Sequence, residues 1–368
     1  MHPDADLIPG RFAECFREVA RTRELPGTEA RKHHFVPQHL LKRFADPSSE
    51  RVRVWQLDKQ SGSCVLVATD KTAFAVGLYR VDVEGDHHPN YLERLFSEAE
   101  RFGAIAISPL LDGAATLDEG ARMDIAWLVA LQRLRSPADL ELLRRHATHL
   151  GRQALEEQLE RNLIDGRDDE ISREALEQLR DGRLTIEAPR EFALAGLLDL
   201  WLSGALRIES MAWTLLDARD SEFVLGDRPL TFHDPAPDAP WAVPALASSR
   251  NAYGTFPLSP TLALRVDYGD TGPLRRREVS RLVDHVNLKS YGHANRFVFA
   301  ATEERLLELH ARVTADPSIA PAAPVPPRVV FDHLPGTPML DGRQEVLQQQ
   351  FEAAARGPTF LRQRRPKP

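Results

Sequence analysis

The amino-acid sequence predicts an α+β fold, with a helical middle and a mainly antiparallel sheet built from N-terminal and C-terminal segments. Apolar residues alternate with period two in RVRVWQLD and SCVLVATD, on either side of Gln60-Ser61-Gly62, which predicts a β-hairpin. Helical periodicity dominates from about 89 to 206. After 207 the segments RIESMAWTLLDA, EFVLGD and TLALRVDY are typical of antiparallel strands.

The helices have recognisable start and stop signals. Proline is tolerated in a first helical turn, so a helix should begin near Pro37. Thr116 to Glu119 has the form of a capping box, and Ser136-Pro137 should end one helix and begin a long charged one. The remaining predicted elements are helices at 10–23, 91–107, 171–182, 190–205, 276–292 and 302–313, and a strand at 297–300.

The chain has 368 residues, which suits one large domain with insertions or two lobes. We predict a single α+β domain over 1–313, with a helical lobe at about 89–206. Residues 314–368 should form a proline-rich surface linker, a short helix at 343–355 and a basic tail.

The composition predicts a soluble globular protein, because 42% of the residues are hydrophobic and 27% are charged. No apolar run reaches the length of a membrane helix, so no membrane association is expected. The N-terminus lacks the pattern of a signal peptide. Cys15 and Cys64 are too few for a disulfide framework or a thiolate zinc site, which predicts a reducing, cytoplasmic compartment.

The net charge of −7 argues against a protein surface that is basic all over, which is typical of many nucleic-acid-binding proteins. Nucleic acid is therefore expected as a partner only through local basic patches, at 133–145, 273–281 and 356–368. The alternative for the first two patches is a solvated helix face, because acidic residues are interspersed with the basic ones.

Residues 31–44 read RKHHFVPQHLLKRF and place two adjacent histidines just ahead of a predicted helix. Imidazole is the commonest metal ligand and titrates near physiological pH. Adjacent residues of an extended segment point to opposite faces, so His33 and His34 cannot serve one metal equally. One could act as a ligand or base while the other packs; alternatively both are structural.

Glu93 and Glu100 lie seven residues apart on a predicted helix, which is two turns and hence one face. Two carboxylates beside a histidine suit a divalent cation or acid–base chemistry. The alternative is a solvated charged helix. Asp227 in GDRPL follows a strand and is a candidate ligand or a turn former. Arg135 on a largely apolar helix predicts a carboxylate or phosphate partner.

Gln38 and Asn287 are further polar candidates. Motifs with a fixed chemistry are missing from the sequence: it contains no P-loop, no GxGxxG, no GxSxG and no HExxH. No motif therefore predicts a cofactor-binding residue, and neither cysteine has features of a nucleophile.

The ordered blocks HHFVPQHLLKRF, ERLFSEAE, WTLLDARDSEFVLGDRPL, FPLSP and VNLKSYGHANRFVFA resemble the domain of unknown function 4238 family. The resemblance extends from about 32 to about 300 and rests on an HHxxPxxxLxxF opening with later GDxP and PLSP motifs. It implies a bacterial cytoplasmic protein and no particular activity. The family's recurrent positions fall on His33, His34, Pro37, Phe44, Glu93, Glu100, Arg135, Asp227, Pro229 and Asn287.

The HH-x-x-P stretch also resembles HNH nucleases, in which it supplies a base and a metal ligand. Asn90 could stand for the asparagine of that motif. The chain departs from it in lacking the second strand and the closing histidine, near whose position Glu100 stands.

Two functional hypotheses follow. In the first, the protein is a metal-dependent hydrolase, plausibly a phosphodiesterase or nuclease, with Mg²⁺, Mn²⁺ or Zn²⁺ held by His34, Glu93, Glu100 and Asp227. His33, His34 and Arg135 would then be catalytic, the arginine by neutralising charge on the phosphate. In the second, the same cluster is a structural polar network in a ligand-sensing or protein-interaction module without turnover.

Overall fold

The α+β prediction with a helical middle is confirmed. The computed structural model describes residues 10–15, 31–80, 90–164, 170–233, 252–269 and 272–320. Its helices are α1 (Gln38–Arg43), α2 (Tyr91–Leu111), α3 (Glu119–Leu131), α4 (Pro137–Ile164), α5 (Glu170–Arg180), α6 (Arg190–Glu209), α7 (Ser280–His293) and α8 (Glu303–Ala315). Residues 11–15 are also helical.

The strands lie on both sides of this helical middle in the sequence. They are β1 (Lys32–His34), β2 (Arg53–Asp58), β3 (Cys64–Ala68), β4 (Phe74–Val76), β5 (Ala212–Asp217), β6 (Leu225–Gly226), β7 (Thr231–His233), β8 (Tyr253–Ser259), β9 (Leu262–Asp267), β10 (Arg275–Glu278) and β11 (Phe297–Ala300). The predicted hairpin around residues 60–62 is confirmed as the antiparallel pair β2–β3.

The described strands form three sheets where the sequence predicted one. The four-stranded sheet, in the order β3-β2-β11-β6, joins the N-terminal hairpin to C-terminal strands and is antiparallel throughout. The five-stranded sheet, β10-β5-β9-β8-β7, comes entirely from the C-terminal half, and only its β10–β5 pair is parallel. The third sheet is the short pair β1–β4. One sheet was expected because strand pairing partners cannot be read from period-two alternation.

Three predicted boundaries differ from those in the structure. The side chain of Asp118 caps α3 by accepting from the backbone N–H of Ala121 at 2.7 Å, so the capping box at Thr116 does not form. Helix α6 continues to Glu209, where a strand was expected from 207. The expected helix at 276 begins at Ser280, because 275–278 pair with β5.

The main core is built on interlocking aromatic rings. Trp201 of α6 meets Trp127 of α3 edge-on at 5.0 Å and donates its indole N–H to the Trp127 carbonyl at 2.7 Å. Phe96 of α2 packs against Trp201 at 5.3 Å and against Tyr79 at 4.9 Å. These edge-to-face pairs add stability beyond area burial. They also connect the core to Tyr79, which belongs to the candidate site.

The chain falls into two compact units. In the described ranges, the first contains residues up to 146 and 188–320, and the second contains 147–164 and 170–187. The second unit has its own small core, to which Leu159, Leu176 and Leu179 contribute. In the same unit the Arg152 side chain donates to the Leu179 carbonyl at 2.7 Å. The single domain predicted over 1–313 stays a prediction.

Several predictions fall wholly or partly outside the described residues. These are the helix at 10–23 beyond residue 15, the proline-rich linker beyond 320, the helix at 343–355 and the basic tail. Cys15 and Cys64 are not joined by a disulfide. No helix in the described ranges is long and apolar enough to cross a membrane.

Candidate functional site: a buried polar junction around Arg135

Arg135 lies in the connection between α3 and α4, and its side chain is 1% exposed. One terminal nitrogen of the guanidinium is paired with the Glu100 carboxylate of α2, and the other donates to the backbone carbonyl of His34. The third nitrogen, Nε, donates to the Tyr79 hydroxyl at 3.3 Å. Burial is the largest single influence and acts to lower the pKa of Arg135, but Glu100, Tyr79 and Glu93 together outweigh it, so the net shift is upward. The arginine is therefore a permanent cation held inside the fold.

Tyr79 is the group that ties the two sides of this junction together. Its hydroxyl donates to the Arg135 carbonyl at 2.5 Å while accepting from the guanidinium. Burial raises the pKa of Tyr79, so the phenol stays protonated and can donate. Gly77, at φ 63°, adopts the left-handed conformation that turns the chain after β4 toward Tyr79. No pattern in the sequence singled out this tyrosine.

His33 is fully buried in β1 and faces Tyr79. Its Nδ1 accepts the backbone N–H of Tyr79 at 2.8 Å, and the two rings stack at 5.5 Å with an angle of 8°. The predicted catalytic histidine therefore positions the tyrosine that binds Arg135.

His34, the next residue, is half-buried on the other face of the strand, as strand geometry requires. Its Nε2 lies 3.0 Å from the amide nitrogen of Gln38, the first residue of α1. Burial, followed by the charge of Arg135, lowers the pKa of His34, which keeps the ring neutral. His34 and Gln38 are thus adjacent, and Arg135 contacts His34 through its backbone carbonyl.

Glu93 and Glu100 lie on the same face of α2, as predicted, but differ in their surroundings. Glu100 is the ion-pair partner of Arg135. Glu93 is largely buried, and its Oε2 has no hydrogen-bond partner in the described chain. Burial raises the pKa of Glu93 to about 8, assisted by the negative charge of Glu100 and opposed by Arg135. At neutral pH most of the Glu93 carboxyl is therefore protonated.

Asp227 is bonded elsewhere, at the end of the four-stranded sheet. One carboxylate oxygen accepts the backbone N–H of Asn295 at 2.6 Å, and the other accepts those of Arg296 at 2.8 Å and Phe297 at 2.9 Å. Burial raises the pKa of Asp227, and these three bonds oppose the rise. The carboxylate fixes the start of β11, a role that the GDxP motif alone did not reveal.

Asn287, 1% exposed on α7, holds the segment before β6. Its side-chain oxygen accepts the backbone N–H of Val224 at 2.9 Å, and its nitrogen donates to the Glu222 carbonyl at 2.8 Å. Both ends of the carboxamide are used, which makes Asn287 a clamp between helix and strand.

The structure therefore brings together His33, His34, Gln38, Glu93, Glu100 and Arg135 around Tyr79, and gives Asp227 and Asn287 separate partners. Among the described residues, no three or more His, Cys, Asp or Glu side chains form a group that could hold a metal ion. Of the four predicted ligands, Glu100 is paired with Arg135 and Asp227 with backbone amides, and the predicted metal site stays a prediction.

Two of the predicted basic patches lie in the described ranges, and much of their charge is internally compensated. In the first, Arg144 and Arg145 both pair with Glu141 at 2.8 Å. The second is the exposed edge strand β10, in which Arg276 pairs with Asp217 at 3.1 Å. Charged side chains on an edge strand also discourage pairing with another sheet. Nucleic-acid binding through these patches stays a prediction.

Sequence reasoning also missed a second polar cluster in the same connection. Arg133 and Arg228 both bind Oδ1 of Asp139, at 2.9 and 2.5 Å. The local signal was available, because Ser136 and Asp139 have the spacing of a capping box. Nothing local predicted the second arginine, which comes from 89 residues further along the chain.

Fold and site together define an α+β protein organised on a buried arginine-centred junction between its helical middle and its N-terminal strands. The chain belongs to the family described as Protein of unknown function (DUF4238), which it matches over residues 32–304. This confirms the resemblance carried by the HHxxPxxxLxxF, GDxP and PLSP motifs. Comparison with curated proteins and with solved structures gave no match.

Proposed function

We propose that the protein is a ligand-sensing or protein-interaction module in which the Arg135 junction is a structural polar network. The observation that carries this proposal is the enclosure of the guanidinium, whose three nitrogens are bonded to Glu100, Tyr79 and the His34 carbonyl. A catalytic arginine acts by presenting free N–H groups to charge that develops on the substrate. In Arg135, by contrast, each guanidinium nitrogen is already bonded to another group of the protein.

Three other residues of the predicted site support the same proposal. His33 holds Tyr79, and Asn287 holds the segment before β6. Asp227 holds the start of β11. Buried polar groups require partners of this kind. Each of these residues has a structural task that explains its presence without turnover.

A metal-dependent hydrolase acting on phosphodiesters is the second candidate, and one observation favours it. Glu93 combines a pKa raised to about 8 with a buried oxygen that has no partner in the described chain. Strongly perturbed carboxyl groups beside a charge partner concentrate at active sites. In this candidate His34 and Glu93 would supply ligands for Mg²⁺, Mn²⁺ or Zn²⁺, with oxygen donors suiting the first two.

One experiment separates the two candidates. The full chain is titrated with Mn²⁺ and Zn²⁺ by calorimetry, and hydrolysis of bis(p-nitrophenyl) phosphate is followed with Mg²⁺, Mn²⁺ and Zn²⁺. If the protein is a non-catalytic module, we expect no stoichiometric metal binding and no metal-dependent hydrolysis. The matched variants are Glu93→Gln and, as a control on the same helix, Glu98→Gln, since the ion-pair partner of Glu98 within the described ranges is Arg101. Metal-dependent hydrolysis that disappears in Glu93→Gln and persists in Glu98→Gln would refute the module proposal and support the hydrolase proposal.

A further inference from the structure

Two arginines from distant parts of the chain converge on one carboxylate oxygen. Arg133 lies just after α3, and Arg228 follows β6. The Nη1 atom of Arg133 is 2.9 Å from Oδ1 of Asp139, and the Nη2 atom of Arg228 is 2.5 Å from the same oxygen. The two guanidinium groups are therefore neighbours, held against a common acceptor.

The carboxylate between them cannot turn away. Ser136 precedes the first turn of α4 and accepts the backbone N–H of Asp139 at 3.1 Å. The Ser136 hydroxyl in turn donates to Oδ2 of Asp139 at 2.5 Å. This is a helix N-terminal cap, and it leaves Oδ1 as the atom that meets both arginines. Asp139 is 3% exposed, so the spacing of the pair is set by the fold.

The cluster has one positive charge in excess. Each arginine carries five N–H donors, yet in the described chain Arg133 and Arg228 each make the single hydrogen bond to Asp139. No second carboxylate pairs with either of them in that part of the chain. The carboxylate of Asp227, next to Arg228, is directed to backbone amides. The two side chains are largely but not completely buried, at 19% and 16% exposed.

The surrounding groups do not offset this charge. His293 of α7 is neutral, because burial and then the charges of Arg228 and Arg133 lower its pKa to about 3. Lys289 lies one turn earlier on the same helix and also acts to lower the pKa of His293. Gln132, directly before Arg133, is 1% exposed, and neither end of its carboxamide has a partner in the described ranges. Two guanidinium groups therefore share one carboxylate in this cluster.

We propose that Arg133 and Arg228 form a binding site for a phosphate-type oxyanion, with Asp139 as the fixed spacer between the two guanidinium groups. Planar guanidinium groups bind phosphate with two parallel hydrogen bonds, and a preset pair loses little freedom on binding. The site takes the phosphate group of a small ligand or free inorganic phosphate. It is separate from the Arg135 junction and does not depend on the function proposed for that junction.

The test uses the full chain and inorganic phosphate as the probe. Thermal unfolding and calorimetric titration are carried out at low ionic strength, with sodium chloride at matched ionic strength as the reference. Phosphate should raise the melting temperature above the chloride reference. In Arg228→Gln, the loss of a charged donor should weaken phosphate binding at least roughly tenfold.

A matched control is available in Arg312→Gln. Arg312 shares the Asp284 carboxylate with Arg305, so it also belongs to a pair of arginines on one aspartate. This control should keep the phosphate affinity of the parent. Arg228→Lys, which preserves the charge but not the planar fork, should show intermediate affinity and serves if Arg228→Gln fails to fold. The inference is overturned if phosphate stabilises the parent no more than chloride does, or if folded Arg228 variants bind phosphate as tightly as the parent.

Discussion

The raised pKa of Glu93 leads to a prediction about how stability changes with pH in the Glu93→Gln variant. Glutamine has nearly the shape of a protonated glutamate but cannot ionise. The folded state holds Glu93 in its protonated form, with a pKa of about 8 against the ordinary value of 4.5. A carboxyl group with a raised folded-state pKa contributes stability at low pH, and that contribution is lost as the pH rises through the folded-state pKa.

The magnitude follows from the two pKa values. Each pH unit between them corresponds to ~1.4 kcal/mol, so the parent loses about 3 kcal/mol by pH 7 and about 5 kcal/mol by pH 9 through this one group. The variant has no such loss. The difference in free energy of unfolding, variant minus parent, should therefore increase with pH, by about 3 kcal/mol from pH 4.5 to pH 7 and by about 5 kcal/mol from pH 4.5 to pH 9.

Urea unfolding at pH 5, 7 and 9 measures the difference directly, since every other titrating group is common to both chains. Glu98→Gln is the control, because Glu98 is an exposed partner of Arg101 on the same helix. Its difference from the parent should stay within about 1 kcal/mol at all three pH values. If the difference in free energy of unfolding between Glu93→Gln and the parent is equally constant across the three pH values, the conclusion that Glu93 is buried and protonated is refuted.

Three other substitutions test the packing and hydrogen bonds that hold the site. Arg135→Met should lower the free energy of unfolding by about 3–5 kcal/mol because it leaves a buried carboxylate unpaired, and adding Glu100→Gln should recover part of the loss in urea titrations. Asp227→Asn should cost about 2–3 kcal/mol by the same measurement, since one amide oxygen cannot replace two carboxylate oxygens toward three backbone N–H groups. Gly103→Ala should cost about 1–3 kcal/mol, because its Cβ would lie 2.6 Å from a side chain of α3, whereas Gly151→Ala, with nothing within 4 Å, should not destabilise.

The sequence predicted those parts of the molecule that depend on neighbours within a few residues. The placement of His33 and His34 on opposite faces of a strand follows from its two-residue period, and the start of α1 follows from the geometry of Pro37. The shared face of Glu93 and Glu100 follows from helical geometry in the same way. In each case the deciding interaction is local.

What could not be predicted depends on contacts between distant residues. Tyr79 completes the junction by meeting His33 from 46 residues away and Arg135 from 56 residues away, and its own surroundings in the sequence carry no signal. Asp227 has the sequence context of a ligand, and only the arrival of residues 295–297 makes it a structural acceptor. Strand β10 forms where helical periodicity was expected, because pairing with β5 outweighs local preference.

The Arg135 junction and the cluster of Arg133, Asp139 and Arg228 both include an arginine from the connection between α3 and α4, and the two arginines differ in their surroundings. Arg133 and Arg135 are two residues apart between α3 and α4. The Arg135 side chain is 1% exposed and uses all three of its nitrogens within the fold, whereas the Arg133 side chain is 19% exposed and makes one hydrogen bond among the described residues. An enclosed cation with fixed partners holds the backbone of the connection in place. A rigid connection is what a preset anion site requires, because the two guanidinium groups must keep their spacing when the ligand is absent. In the phosphate site that we propose, the Arg135 junction would hold the backbone that carries Arg133, while Arg133 and Arg228 alone would bind the anion.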